Sequence, residues 1–260
     1  MRLYSKDLVT DYILRDLGEK KVSELNSFCD EVSNKNFKRF SSFDDALNYF
    51  EGSNEYLHQR ASYKELEDIK YYSGFSYVNI NALLRGTWNY ERNGIASDEK
   101  KREYLRVAED ISKTISKCAQ STGNIVTYRG VNINTFYRFG IQSIKDLPSL
   151  VGSYIYDAGF LSTSLVQNES FFARKLDWHE DCNVEIELML SEECDDAIPL
   201  LSTSTSYSPN QVELLINKGS LIKVIGVSLS EDGQKATVRA VHVPRKMWNL
   251  VLKDDVDRSL

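Results

Sequence analysis

Three short stretches in the second half of the chain set polar side chains where apolar strands begin or end. In QVELLIN, Gln211 and Glu213 precede Leu214, Leu215 and Ile216. If a strand begins at Gln211, the two polar side chains share one face and Val212 takes the other. A carboxylate at the lip of an apolar strand can stabilise developing positive charge. The neutral amide beside it is no useful base near neutral pH, but it donates and accepts hydrogen bonds. In VTYRGV, Arg129 ends an apolar run and Gly130 follows. The planar guanidinium fork suits a phosphate, and a glycine admits close backbone approach. In GFLSTS, Ser162 and Ser164 share a face opposite Thr163, and a serine buried there needs a partner such as a neighbouring carboxylate. Each stretch also has a plain structural explanation: a salt-bridged edge arginine, a solvated strand end, a polar patch where a loop enters a sheet.

The elements that would position these groups follow from hydrophobic spacing. After Gly123, short apolar or alternating runs are separated by Gly, Pro and Ser: NIVTYRGV, GSYIYDAGFLSTSL, CNVEIELML, AIPLL, QVELLIN, LIKVIGVSL and ATVRAVHV. Up to about Ala119 the spacing is helical. SSFDDALNYFEG begins on a serine cap and carries Phe43, Ala46, Leu47 and Phe50 at i, i+3, i+4 and i+7. SYKELEDIKYYSG closes on Gly74, which can stop a helix, and FSYVNINALLRG reads as another. A long helix opens on Ser97 with Tyr104, Val107, Ile111, Ile115 and Cys118 as its buried side. Helices followed by strands predict an α+β fold with an antiparallel or mixed sheet, not repeated βαβ units. Ahead of Phe43 the chain is amphipathic, with Leu25, Phe28 and Val32 at helical spacing; it packs on the core or meets a partner.

Composition narrows the class. A chain of 260 residues suits one large domain, or one domain with an appendage. Its net charge of −6 gives no general attraction to nucleic acid or anionic membrane. No apolar run reaches membrane-spanning length. The N-terminal MRLYSKDLVTDYIL lacks the apolar core and cleavage site of a secretory signal, so a cytoplasmic location is expected, in the producing cell or in a host after delivery. The four cysteines form no Cys-x-x-Cys pair and read as reduced, mostly buried thiols. His179 and Cys182 in WHEDC are at most half a metal site in a chain with three histidines, and metal chemistry is not expected.

An arginine, then Ser-Thr-Ser after an aromatic, then Gln-x-Glu after a Ser/Thr-rich loop resembles the mono-ADP-ribosyltransferase toxins. Within them it looks like the arginine–serine–glutamate branch, nearest to the clostridial Rho-modifying exoenzymes, with the enzymatic components of actin-modifying binary toxins next. The resemblance runs from about Phe43 to Val243. It implies N-terminal helices packed on a mixed or antiparallel two-sheet β core. The division it suggests is a helical extension over 1–42, a catalytic domain over 43–245 and a tail over 246–260.

The resemblance also implies roles. NAD is the co-substrate, with no metal. Glu213 stabilises the reacting ribose, Ser162 orients Glu213, and Arg129 grips the phosphates with help from Arg174 and Arg85. Phe171 walls the nicotinamide, Gly130 holds its carboxamide through the backbone, and Tyr72, Tyr77 and Asn81 lie on helices flanking the cofactor. Tyr207, Ser208 and Gln211 belong to the target-recognition loop. The chain departs from the family in two ways. The family's loop aromatic falls on Tyr207, where the pattern has it at Ser208, and Ser202-Thr203-Ser204 repeats the Ser-Thr-Ser string. Ser162 is preferred because it follows Gly-Phe at a strand start.

By resemblance, Gln211 favours an Asn or Gln amide of a protein as acceptor, with NAD glycohydrolase activity as a side reaction. A nucleic-acid base, modified by an intracellular toxin or phage-related enzyme, is the alternative. The basic stretches NKNFKRF (Lys35, Lys38, Arg39, with Phe37 and Phe40) and EKKREYLR could serve it. A catalytically degenerate partner-binding module is the third reading. An antitoxin or a delivery partner is a further class of contact, and no membrane association is expected.

Overall fold

The computed structural model describes residues 8–88, 93–169, 182–206 and 212–248. It opens with α1 (Leu8–Ser33), bent at Gly18, where φ is 75°. Three serines then start three helices. Ser42, Ser62 and Ser97 accept hydrogen bonds from the backbone N–H three positions on, at 3.2, 3.3 and 3.2 Å. They cap α2 (Phe43–Arg60), α3 (Tyr63–Tyr71) and α5 (Asp98–Cys118), each cap contributing about 1 kcal/mol. At Ser62 the Glu65 carboxylate returns to the Ser62 N–H at 2.7 Å, completing a capping box. Gly74 interrupts the helical run as expected: inside a π-type turn (Tyr72–Ser76) its ψ of −133° is not helical, and α4 (Tyr77–Leu84) follows across the kink. Such turns shift the helical register by a residue and gather at functional sites. On α5 the expected side, Tyr104, Val107, Ile111, Ile115 and Cys118, is buried.

Among the described residues eight strands follow: β1 (Ile125–Val131), β2 (Tyr154–Asp157), β3 (Leu161–Ser164), β4 (Val184–Leu190), β5 (Ala197–Leu200), β6 (Glu213–Ile216), β7 (Ser220–Leu229) and β8 (Ala236–Val243). They form one ladder in the order β2-β7-β8-β4-β1-β3-β6-β5. The sheet is mixed: β4 and β8 run parallel, and the other neighbours are antiparallel. The two-sheet core exists as a ladder that folds over. Its five-strand and three-strand parts are joined between β1 and β3 at a single residue pair, Tyr128 opposite Ser164.

Each face has its own cover. Ile125, Val184, Leu188, Val224 and Val238 from the larger part meet Leu161, Leu214, Ile216 and Ala197 from the smaller part in an inner core. Over the outer face of the smaller part, Ile69 of α3, Ile80 of α4 and Ile111 and Ile115 of α5 pack on Phe160, Ile198 and Leu215. Over the outer face of the larger part, Ile13, Leu25, Cys29 and Val32 of α1 pack on Val126, Tyr128, Met189, Val241 and Val243. Trp248 joins the last group and donates its indole N–H to the Val243 carbonyl at 3.1 Å. The stretch ahead of Phe43 thus covers a sheet face. No described helix is long and apolar enough to cross a membrane.

Leu25 is fully buried at the contact between α1 and the sheet. Leu25→Ala is expected to destabilise the protein by about 2–5 kcal/mol in urea denaturation, the usual cost of such a cavity. A loss below about 0.5 kcal/mol, the range of surface substitutions, would mean that α1 is not docked on the sheet.

Candidate active site

The ladder between β1 and β3 would continue from Tyr128–Ser164 to Arg129 opposite Thr163. Instead the strands part. At the parting, Arg129 Nη1 donates to the Ser162 carbonyl at 2.6 Å. A side chain therefore takes up a strand carbonyl next to the opening between the two parts of the sheet, since a buried carbonyl must find a donor.

Glu213 opens β6 directly opposite Ser164, and Leu215 lies opposite Ser162. These four residues share one face, with Ser162 on the diagonal from Glu213. Glu213 is 7% exposed. Its carboxylate accepts a hydrogen bond from Ser162 and lies in the field of Arg129. Burial raises its pKa to about 6, against the opposing pull of the Ser162 bond and the arginine charge. Ser164 is oriented elsewhere, donating its hydroxyl to the Val166 carbonyl at 2.7 Å.

The approach to Glu213 is strained. Val212 has φ of 50°, the sole non-glycine residue with positive φ among those described. For a β-branched side chain this conformation costs about 1–3 kcal/mol. Two contacts hold it: the Val212 carbonyl accepts from Leu165 N–H at 2.9 Å, and its side chain is fully buried in the inner core. This corrects the expectation of a strand from Gln211. Alternation begins only at Glu213, so it does not fix the direction of Gln211. Gln211 itself lies outside the described residues, as do Tyr207, Ser208, Phe171 and Arg174.

A second guanidinium stands beside Arg129. Arg85, just after α4, forks onto Asp157 at the end of β2 with Nε–Oδ1 of 2.7 Å and Nη2–Oδ2 of 3.0 Å. It also donates to the Phe160 carbonyl at 3.4 Å. Burial raises the Asp157 pKa, but the charge and hydrogen bonds of Arg85 outweigh it and hold the carboxyl below its ordinary range. Burial and then the charge of Arg85 push the Arg129 pKa down, with Asp157, Tyr72 and Tyr77 acting against them. The cluster thus gathers two guanidiniums, with one carboxylate fully engaged by Arg85 and a second whose pKa burial raises to about 6.

The helices reach the site through Asn81 and Tyr72. Asn81 donates to the Tyr72 hydroxyl at 2.8 Å and accepts from the Phe160 N–H at 2.9 Å, so it pins the start of β3 to α4. Tyr72 is 1% exposed, with its ring edge-on to Phe160 at 5.1 Å and to Tyr77 at 6.5 Å. Burial and then the negative charge of Glu213 raise its pKa. Gly159 is required by this packing. A Cβ there would stand 2.8 Å from Asn81 Oδ1 and 2.9 Å from Arg85 Nε. Gly130 lies in β1 opposite Glu185 of β4.

The structure brings together Arg129, Ser162, Glu213, Arg85, Tyr72 and Asn81, with Tyr77 alongside. Asp157 joins the cluster although it lies outside the three polar stretches that stand out in the sequence. Its signal was available: an arginine ending the apolar run NINALLR needs a counter-ion when buried. The repeated Ser202-Thr203-Ser204 string has its own partners. Ser202 Oγ lies 3.0 Å from His58 Nε2, 2.8 Å from Ser204 Oγ and 3.1 Å from Thr205 Oγ1.

Comparison with known proteins agrees with this architecture. The family of ADP-ribosyltransferase exoenzymes matches residues 34–244. Among solved structures, the chain is similar to C3stau2 from S. aureus with NAD, at 21% identity and a TM-score of 0.63, covering 81% of this chain and 100% of that one. It is similar to the Clostridium limosum C3 exoenzyme at 18% identity and a TM-score of 0.57, covering 80% and 98%. It is also similar to BECa of a binary enterotoxin of C. perfringens with NADH, at 20% identity and a TM-score of 0.60, covering 80% of this chain and 50% of that one. At these identities the likeness speaks to the fold. No curated protein matches the chain. The family match spans most of the sequence and includes the strands that carry Arg129, Ser162 and Glu213, so the chain belongs to the ADP-ribosyltransferase exoenzymes.

Proposed function

We propose that the protein is an NAD-dependent mono-ADP-ribosyltransferase that transfers ADP-ribose to an Asn or Gln side chain of a target protein, and that it hydrolyses NAD when no acceptor is present. The observation that carries the reading is the buried Glu213 carboxylate, hydrogen-bonded by Ser162 and facing Arg129. NAD supplies a glycosidic bond whose nicotinamide is a good leaving group, and positive charge builds on the ribose as that bond breaks.

The residues fit such a substrate electrostatically. Arg85 lowers the affinity of Arg129 for a proton, and Asp157, held by the Arg85 fork, offsets that only in part. A diphosphate would relieve the remaining repulsion in a partly desolvated pocket. With a pKa of about 6, Glu213 is mostly ionised at neutral pH and offers its charge to the ribose. Ser162 fixes its direction. The backbone around it is tied down by Arg129, Asn81 and Val212, so little reorganisation is left for the reaction to provide.

Gln211 supports an amide acceptor by residue type. A neutral amide can align another amide through paired hydrogen bonds, whereas an arginine acceptor calls for a carboxylate. The basic stretches favour a protein over a nucleic acid. Lys38 is paired with Asp45 at 3.0 Å, and Arg39 forks onto Glu187 at 3.1 and 3.2 Å. Phe40 is 5% exposed and Phe37 packs against the core over α1. In the second stretch Lys100 is paired with Glu103 and Arg106 with Asp110. Charges and rings engaged within the fold are poorly placed to bind and stack bases.

Glu213→Ala is expected to lower the rate of nicotinamide release by about a hundredfold or more while leaving the circular dichroism spectrum unchanged. The wild-type kcat/KM for NAD should fall as pH drops below about 6, because the carboxylate must be ionised to act. An equally active variant would end the assignment. Gln211→Ala separates the two halves of the reaction: NAD hydrolysis persists and transfer of labelled ADP-ribose to lysate components is lost. Label removed from wild-type reactions by nuclease and not by protease would instead identify a nucleic-acid acceptor.

A further inference from the structure

Apart from these residues, three side chains distant in sequence converge between β8 and the connection from β4 to β5. Cys194 and Asp196 lie on the connection from β4 to β5, and His242 lies near the end of β8. All three are buried: Cys194 is 0%, Asp196 8% and His242 1% exposed. One ligand atom from each falls within 4.8 Å of the others. Cys194 Sγ lies 3.1 Å from Asp196 Oδ1, and His242 Nε2 lies 3.7 Å from Asp196 Oδ2. Sulfur, oxygen and nitrogen ligands on a tetrahedral zinc ion stand about 3.3–3.5 Å apart, as bond lengths of about 2.0–2.3 Å require.

The decisive feature is His242. Neither of its ring nitrogens has a hydrogen-bond partner among the described residues, although the ring is buried. A buried imidazole left this way forfeits the free energy of hydrogen bonds it would make in water. A cation accepting Nε2 removes one of these deficits. Charge also balances: a thiolate, a carboxylate and a neutral imidazole around a divalent ion sum to zero, the condition a buried site needs.

We propose that Cys194, Asp196 and His242 form a structural zinc site, with water in the fourth position. Coordination exchanges the Cys194 S–H bond for a sulfur–zinc bond, and the proton leaves to solvent. The role follows from topology. Asp196 adjoins β5, the far edge of the three-strand part, while His242 belongs to β8 of the five-strand part. A metal there ties the β4–β5 connection to β8. β5 in turn pairs Leu200 with Glu213 of β6, so the brace supports the strand that carries the candidate catalytic carboxylate.

The test uses the full chain with Cys29→Ala, Cys118→Ala and Cys182→Ser, so that Cys194 is the remaining thiol. After equilibration with zinc and dialysis, about one zinc per chain is expected, lost when Cys194→Ser is added. With cobalt in place of zinc, the chain that keeps Cys194 should gain a thiolate-to-metal charge-transfer band and the intense visible bands of a tetrahedral site. Added zinc should raise its melting temperature, because an ion bound only by the folded state stabilises that state. Zinc content unaffected by Cys194→Ser would overturn the proposal. So would a cobalt spectrum without the thiolate band, a readout that needs no folded Cys194→Ser chain.

Discussion

A carboxylate kept largely ionised inside a protein costs solvation free energy that only nearby hydrogen bonds and positive charge can return. Glu213 meets that condition through Ser162 and Arg129, and the surrounding structure can be read as the means of holding those two groups in place. Arg129 is itself a buried charge, made less comfortable by Arg85, and Arg85 is acceptable there because Asp157 takes both arms of its fork. The chain of dependence runs carboxylate, hydroxyl, arginine, second arginine, second carboxylate. Its members come from β6, β3, β1, the end of α4 and β2, so the cluster exists only in the complete fold.

The sheet supplies the cleft by failing to pair. A ladder continued along β1 and β3 would satisfy the Ser162 carbonyl with backbone and leave no opening. Pairing stops at Tyr128–Ser164, and a guanidinium takes the place of the next strand residues. The strain at Val212 belongs to the same arrangement. A β-branched residue in the left-handed region, locked by the inner core and by Leu165, sets the entry into β6 immediately before Glu213. Strain next to a reacting group persists when packing around it over-determines the backbone, and here both neighbours of that packing are buried.

Local signals made much of this legible in the sequence. Serine caps at Ser42 and Ser97 and the apolar stripe on α5 are short-range patterns, and each corresponds to an element as expected. Arg129, Ser162 and Glu213 stood out because each is a polar residue on an apolar strand, an anomaly visible within six residues of context. Features that depend on distant partners were not legible. Asp157 looks like an ordinary turn acid until Arg85 is set against it. Val212 looks like a strand residue because period-two alternation cannot reveal a single left-handed backbone angle. The convergence of Cys194, Asp196 and His242 appears only when the ladder folds over.

Glu213 is carried ionised and buried at a cost to the fold. A group whose folded pKa, about 6, exceeds the ordinary 4.5 binds its proton more tightly when folded, so its burial lowers stability as pH rises through that window. Urea denaturation of the wild type and Glu213→Gln across that window measures the cost directly. The wild type is expected to lose about 1 kcal/mol relative to the variant between pH 4.5 and 6, out of about 2 kcal/mol over the full titration. Stability curves that run parallel over the whole range would contradict it, because they would mean that Glu213 ionises as freely in the folded protein as in the unfolded chain.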